Sequence, residues 1–138
     1  MASIERKKMD NALKQVVIPI LREQNFKGSL PHFRRINENN IDLITFQFNN
    51  WGGSFVVELA SCSKEDTPVI RGEKLPPNKV TAHFINDRFR LGSESLEEDG
   101  IWFNFESAKS DQDYIEVANS VLNLLHTSDR TWISSLYK

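Results

Sequence analysis

Apolar residues along this chain first recur with a helical period, then with a strand period, then with a helical one again. Met9, Leu13, Val16, Val17, Ile20 and Leu21 stand three or four residues apart, which draws one apolar stripe on a helix from about Ile4 to Gln24. Ser3 suits the N-cap, and Glu5 then falls in the first turn, where the helix dipole favours a negative charge. Were residues 1–8 to lie outside the fold, Asp10 would be the alternative cap. Pro19 deprives the Gln15 carbonyl of its usual donor and predicts a bend. Asn25 tolerates the left-handed conformation that ends helices, which lets Phe26 fold back against Leu21.

Gly28, Ser29 and Pro31 punctuate the exit from the helix, and the period then drops to two. His32 to Asn37, Ile41 to Asn49 and Ser54 to Cys62 read as three strands of an antiparallel meander, joined by Glu38-Asn39-Asn40 and Asn50-Trp51-Gly52-Gly53. Ile44, Phe46 and Phe48 share one face of the middle strand, and Ile41, Leu43, Thr45 and Gln47 the other. Both faces carry apolar residues, so both need cover. Ser63 to Lys79, with Pro68, Gly72, Pro76 and Pro77, reads as a long loop in which Val69-Ile70 suits a short edge strand. Val80 to Leu91 is expected to be a further strand, interrupted at Asn86-Asp87, and Ile101 to Glu106 alternates again. Ser110 with Asp113 resembles a capping box, ahead of a helix whose buried face is Tyr114, Val117, Ala118, Val121, Leu122 and Leu125. Ser128 or Asp129 suits the cap of a last short helix carrying Trp132, Ile133 and Leu136. The expectation is an α+β fold: a mostly antiparallel sheet of about five strands, with an N-terminal helix and C-terminal helices packed on it. All 138 residues are expected to form one domain.

Composition narrows the classes of function. The chain is 39% hydrophobic and 26% charged, ordinary for a globular protein. Its longest apolar run, around Val16 to Leu21, is too short to cross a bilayer and lies within a charged helix, so neither a membrane span nor a signal peptide is expected. Cys62 is the single cysteine, which suits a reducing compartment, and the expected location is the cytoplasm. The net charge of −2 conceals an asymmetry: residues 1–35 carry a balance of +5 and the remainder −7. The basic third spreads its cations along a helix without interleaved aromatics, which argues against nucleic-acid binding. Glu94, Glu97, Glu98 and Asp99 form a dense acidic turn in the remainder.

The order of segments resembles a family known as domain of unknown function 4304. The resemblance rests on Asn25-Phe26-Lys27, where that family tends to have Gly-Phe-Lys, and on Phe33-Arg34-Arg35, Phe46-Gln47 and Phe55-Val56-Val57-Glu58-Leu59. Arg90-Leu91-Gly92, Asp99-Gly100-Ile101-Trp102-Phe103 and a C-terminal helix continue it. The residue at position 25 and the proline-bearing loop depart from the pattern. The resemblance implies an α+β fold with a mostly antiparallel sheet, and it brings no activity and no catalytic residue.

No spacing of residues carries catalysis, a metal or a cofactor. His32, His83 and His126 form no ligand motif, although a carboxylate–histidine site would follow if strands brought His32, Glu58 and His83 together. Cys62 reads as a small buried hydrophobe, and Gly52-Gly53-Ser54 lacks the pattern of a nucleophile elbow or a phosphate loop. The better binding candidates are Arg34, Arg35, Arg88 and Arg90, which could clamp an anion or pair with Glu58, Asp42 and Asp87. On strands, Arg34 and Arg35 face opposite ways while Arg88 and Arg90 face the same way. Trp51, at a hairpin tip, is the aromatic expected to be exposed, and Glu97 and Glu98 offer charge to a basic partner. The first functional expectation is a non-enzymatic protein-binding domain, an adaptor or immunity-type protein of a microbial cytoplasm. The rivals are a small hydrolase or anionic-ligand domain using Glu58, His32, His83 and the arginines in a sheet-face pocket, and an oligomer formed through Trp132, Ile133 and Leu136.

Overall fold

The computed structural model describes residues 3–86, 88–92 and 101–127. Helix α1 spans Ile4–Val16, and α2 follows at Ile18–Glu23 after a single break at Val17. Where a bend was expected, Pro19 divides the helix in two. Proline has no N–H for the preceding turn and is tolerated only in the first turn of a new helix, where it stands here. Ser3 is the cap, its Oγ accepting the Arg6 N–H at 3.1 Å. Asn25 adopts φ 71°, and the Phe26 N–H reaches back to the Leu21 carbonyl at 3.0 Å, closing α2.

Among the described residues, six strands form the main sheet. β1 (Lys27–Ser29), β2 (His32–Ile36), β3 (Asn40–Phe48) and β4 (Ser54–Ser63) lie side by side in that order, all antiparallel. β5 (Val69–Ile70) and β6 (Glu73–Lys74) pair only with each other, so the expected edge strand belongs to a separate hairpin. β7 (Phe89–Arg90) and β8 (Phe103–Asn104) share the outer edge of β4, at Glu58–Leu59 and Ser54–Phe55 respectively. The expected meander is present within a residue or two of its predicted bounds. β1 was hidden because Gly28 and Ser29 read as turn residues.

Helix α3 (Asp111–Thr127) packs against α1, and both lie on one face of the sheet. Its capping box forms as the sequence suggested: the Asp113 N–H donates to Ser110 Oγ, and Asp113 Oδ2 accepts from the Ser110 and Lys109 N–H groups. Phe33, Ile44, Phe46, Phe55, Val57 and Leu59 meet Met9, Leu13, Tyr114, Ala118 and Val121 in the main core. Phe103 stacks on Phe55 at 5.2 Å, extending that core to the sheet edge. The expected helix with Trp132, Ile133 and Leu136 lies outside the described residues.

The opposite face presents Ile41, Leu43 and Ala60, and a strap from Leu75 to Ile85 covers them. Val80 and Ala82 are fully buried there, and two 3-10 turns, Pro77–Lys79 and Ala82–Phe84, bend the strap over the strands. This corrects the expected strand over Val80 to Leu91. Val80, Ala82 and Ile85 go down onto the second sheet face, and only Phe89–Arg90 extends alongside β4.

The tight β1–β2 hairpin depends on Gly28, whose φ is 119° and whose missing Cβ would stand 2.5 Å from the His32 carbonyl oxygen. Gly28→Ala should therefore cost about 2 kcal/mol or more in chemical denaturation. An unchanged midpoint would mean that the hairpin relaxes freely and does not constrain the edge.

Candidate functional site

The two buried acids of the central strands point to opposite faces, and each meets an arginine. On the helix-covered face, Asp42 accepts from Arg35 Nε at 3.0 Å, Arg35 Nη2 at 2.6 Å and Asn37 Nδ2 at 2.8 Å. Arg35 also donates to the Gln24 carbonyl and lies over the Phe26 ring, so it ties β2 to the end of α2. Its guanidinium is spent on this structural pair.

On the strap-covered face, His32, Thr45, Glu58 and Arg90 form one cross-strand row over β2, β3, β4 and β7. Glu58 is 2% exposed, and Arg88 Nε donates to its Oε2. The other oxygen, Oε1, has no hydrogen-bond partner among the described residues and faces His83 Nε2 at 3.6 Å. The His83 ring stands edge-on to His32 at 5.4 Å, and His32 Nδ1 hydrogen-bonds Thr45 Oγ1 at 2.9 Å. Arg88 also donates to the Ile85 carbonyl at 3.0 Å, and Arg34 Nε to the Val80 carbonyl at 3.1 Å. Arg90 lies 5.5 Å from the Trp102 ring. Folding therefore joins His32, Glu58, His83 and Arg88, with Arg34 and Arg90 at the margins, although no spacing in the sequence announced it.

The chemistry available to this cluster is that of a clasp. Arg34, His83 and Arg88 fasten the strap to strands β2 and β4, and the cross-strand pairing of Arg88 with Glu58 is realised. Acid–base work would need a carboxylate that a substrate can reach, and Glu58 is closed off with its charge already matched. Among the described residues no group of three or more His, Cys, Asp or Glu is disposed to hold a metal ion. Burial, then the neighbouring His83 and Arg34, hold the His32 imidazole below its ordinary value of 6.5. Cys62 is half-buried beside the strap; burial first, and then Asp42, raise its thiol above the ordinary value, which disfavours the nucleophilic thiolate.

Trp51 stands apart from all of this. At the tip of the β3–β4 hairpin the residue is 95% exposed, while its backbone N–H donates to Asn49 Oδ1 in the turn. Beneath it lies an open groove of about 530 Å³ between the hairpin tip, the first turn of α1 and the Phe105-Glu106 segment. Phe48 and Phe105 line the groove, and the Arg6 guanidinium lies 3.5 Å above the Phe48 ring while pairing with Asp10. Gly53 (φ 80°) lets Glu106 come close, since a Cβ there would stand 3.3 Å from the Glu106 Cβ. Of the groove residues the sequence singled out Trp51 alone as a binding candidate. Glu5, Arg6, Phe48 and Glu106 come from three distant stretches and share no spacing. Glu97 and Glu98, with the rest of the acidic turn, lie outside the described residues.

The model of the family described as "Domain of unknown function (DUF4304)" matches residues 13–135. The chain belongs to this family. The match runs from the last turn of α1 past the end of α3, so the sheet, the strap and the hairpin tip are all within the DUF4304 domain, while Ser3, Glu5 and Arg6 of the groove precede it. No curated protein and no solved structure matches the chain. Among the described residues no helix is long and apolar enough to cross a membrane.

Two measurements test the clasp. Arg88→Ala leaves the Glu58 carboxylate buried without its cation and should cost about 2 kcal/mol, reduced from the value for a fully buried pair because Arg88 is partly exposed. Adding Glu58→Gln should return part of that loss, whereas strictly additive effects would show that the two are not coupled. The lowered His32 value means that the unfolded chain binds the proton more readily than the folded one. Stability should therefore decline as pH falls from 7 through 6.5 and below, and His32→Asn should flatten that decline in a pH series of denaturation curves. The carboxyl of Asp113, held down by the Lys109 and Ser110 N–H groups, adds its own loss only at lower pH, around and below its ordinary 3.8.

Proposed function

We propose that this DUF4304 protein is a non-enzymatic protein-binding domain, of adaptor or immunity type, whose contact surface is the tip of the β3–β4 hairpin. The observation that carries the reading is Trp51, fully presented to solvent at the end of a rigid ladder. A large aromatic left in water forgoes roughly 2–3 kcal/mol of burial, which a partner recovers on binding. Tryptophan is among the residues that most often anchor protein contacts, and it needs a fixed backbone to do so at low entropic cost. Here the backbone is fixed by nine consecutive register pairs from Asn40–Ser63 to Phe48–Phe55.

The hydrolytic alternative draws on His32, Glu58 and His83, and the burial of Glu58 beneath the strap weighs against it. A single, half-buried cysteine with a raised thiol fits the cytoplasmic setting that this reading assumes. The oligomeric state enters only as an alternative occupant of the same tip.

A photoreactive residue placed at Asn50, in cells of the native host, should form an adduct with one protein species. Trp51→Ala in the same chain should reduce that adduct at least about fivefold, since truncating an anchoring tryptophan costs more than 1 kcal/mol. An unchanged adduct pattern, or no adduct under any growth condition, would count against the hairpin tip as a contact surface.

A further inference from the structure

We propose that the groove beneath Trp51 receives a basic segment of the partner, with a lysine or arginine side chain entering between the indole and the carboxylates of Glu5 and Glu106. The inference rests on the protein-binding reading above and specifies what the contact surface selects. Two acidic side chains line the groove, and neither makes an ion pair among the described residues. Among the described residues of the lining the one cation, Arg6, is matched by Asp10 at 3.2 Å, so these residues present a negative excess.

Arg6 also displays the kind of contact the site can make. Its guanidinium lies over the Phe48 ring while pairing with the Asp10 carboxylate, and the groove lining offers the same two kinds of group in Trp51, Glu5 and Glu106. A volume of about 530 Å³ falls in the range of pockets that take a small molecule, which is ample for one long side chain. The first turn of α1 also opens on the groove, and a bare helix N-terminus would favour an anion there. Ser3 Oγ takes the Arg6 N–H, and Glu5 stands within that turn, so its field is already offset.

Nuclear magnetic resonance titration of the full chain with pentaarginine, pentalysine and pentaglutamate at one ionic strength tests this. The two basic peptides should shift the Trp51 indole N–H and the Gly52 and Gly53 amides saturably, and pentaglutamate should leave them in place. Glu5→Gln and Glu106→Gln should each weaken pentaarginine binding about threefold, and the double substitution about tenfold. Trp51→Ala should weaken it about threefold, read at the Gly52 and Gly53 amides. All three substituted side chains are exposed, and the unperturbed remainder of each spectrum reports that the variant is folded.

Shifts confined to residues outside the groove would overturn the proposal, as would binding unaffected by the Gln variants. Groove signals that move with protein concentration alone would do so too, by assigning the groove to a second copy of this chain. An adduct at Asn50 without basic-peptide binding in the groove overturns the basic segment and leaves the protein-binding reading standing. Loss of both overturns both.

Discussion

Strands β3 and β4 are apolar on both sides, and a sheet of that kind is stable only when both sides are covered. Ile44, Phe46, Phe55, Val57 and Leu59 face α1 and α3, while Ile41, Leu43 and Ala60 face away from them. The second group is too small to need a helix, and a strap carrying Val80 and Ala82 suffices. The path of the chain from Leu75 to Arg90 follows from this. It must cross the strands to cover them before it can run alongside β4 for two residues.

Covering both faces also buries polar side chains, and the solutions on the two sides are unequal. Asp42 takes three donors from Arg35 and Asn37 on its Oδ2, and among the described residues the helix side leaves no fully buried side-chain oxygen or nitrogen without a partner. Glu58 has one oxygen answered by Arg88 and one facing an imidazole at 3.6 Å. The strap side has a smaller apolar cluster, a half-answered carboxylate and two histidines in contact. Opening there costs less than opening the helix side, so the strap belongs to the lower end of the molecule's local stabilities. Neither cover closes over Trp51 at the end of the β3–β4 hairpin. The ladder carries Trp51 past both and holds it in water.

How much of this was legible in the sequence follows from the range over which each feature is encoded. The α1 stripe, the Ser110–Asp113 box, the Asn25 terminator and the alternation in β3 and β4 are set by neighbours within a few residues, and they were readable. The break at Val17 was half readable, because Pro19 dictates a disruption while tertiary packing decides between a bend and two helices. Val80 to Leu91 misled because a short apolar stretch looks the same whether it lies beside strands or across them. The exposure of Trp51 was readable from Gly52 and Gly53 in the adjoining turn. The groove below it was not, since Glu5, Phe48 and Glu106 meet only through the packing of α1 and the β8 segment. The cluster of His32, Glu58, His83 and Arg88 was named as a possibility and found joined, yet its role as a clasp depended on the burial of Glu58, which no local pattern reports.

A ladder held from both sides and ending in an uncovered tryptophan is a rigid presenter, and its central consequence is that contact is made at the tip and not at the strap. Hydrogen exchange on the complex with the cross-linked partner, compared with the free chain, tests this most directly. Slowed exchange confined to Asn49–Ser54, the first turn of α1 and Phe105–Glu106 is the expected result. Slowed exchange centred on Leu75–Arg88, with the hairpin tip unchanged, would contradict it and move the functional surface to the Glu58 clasp.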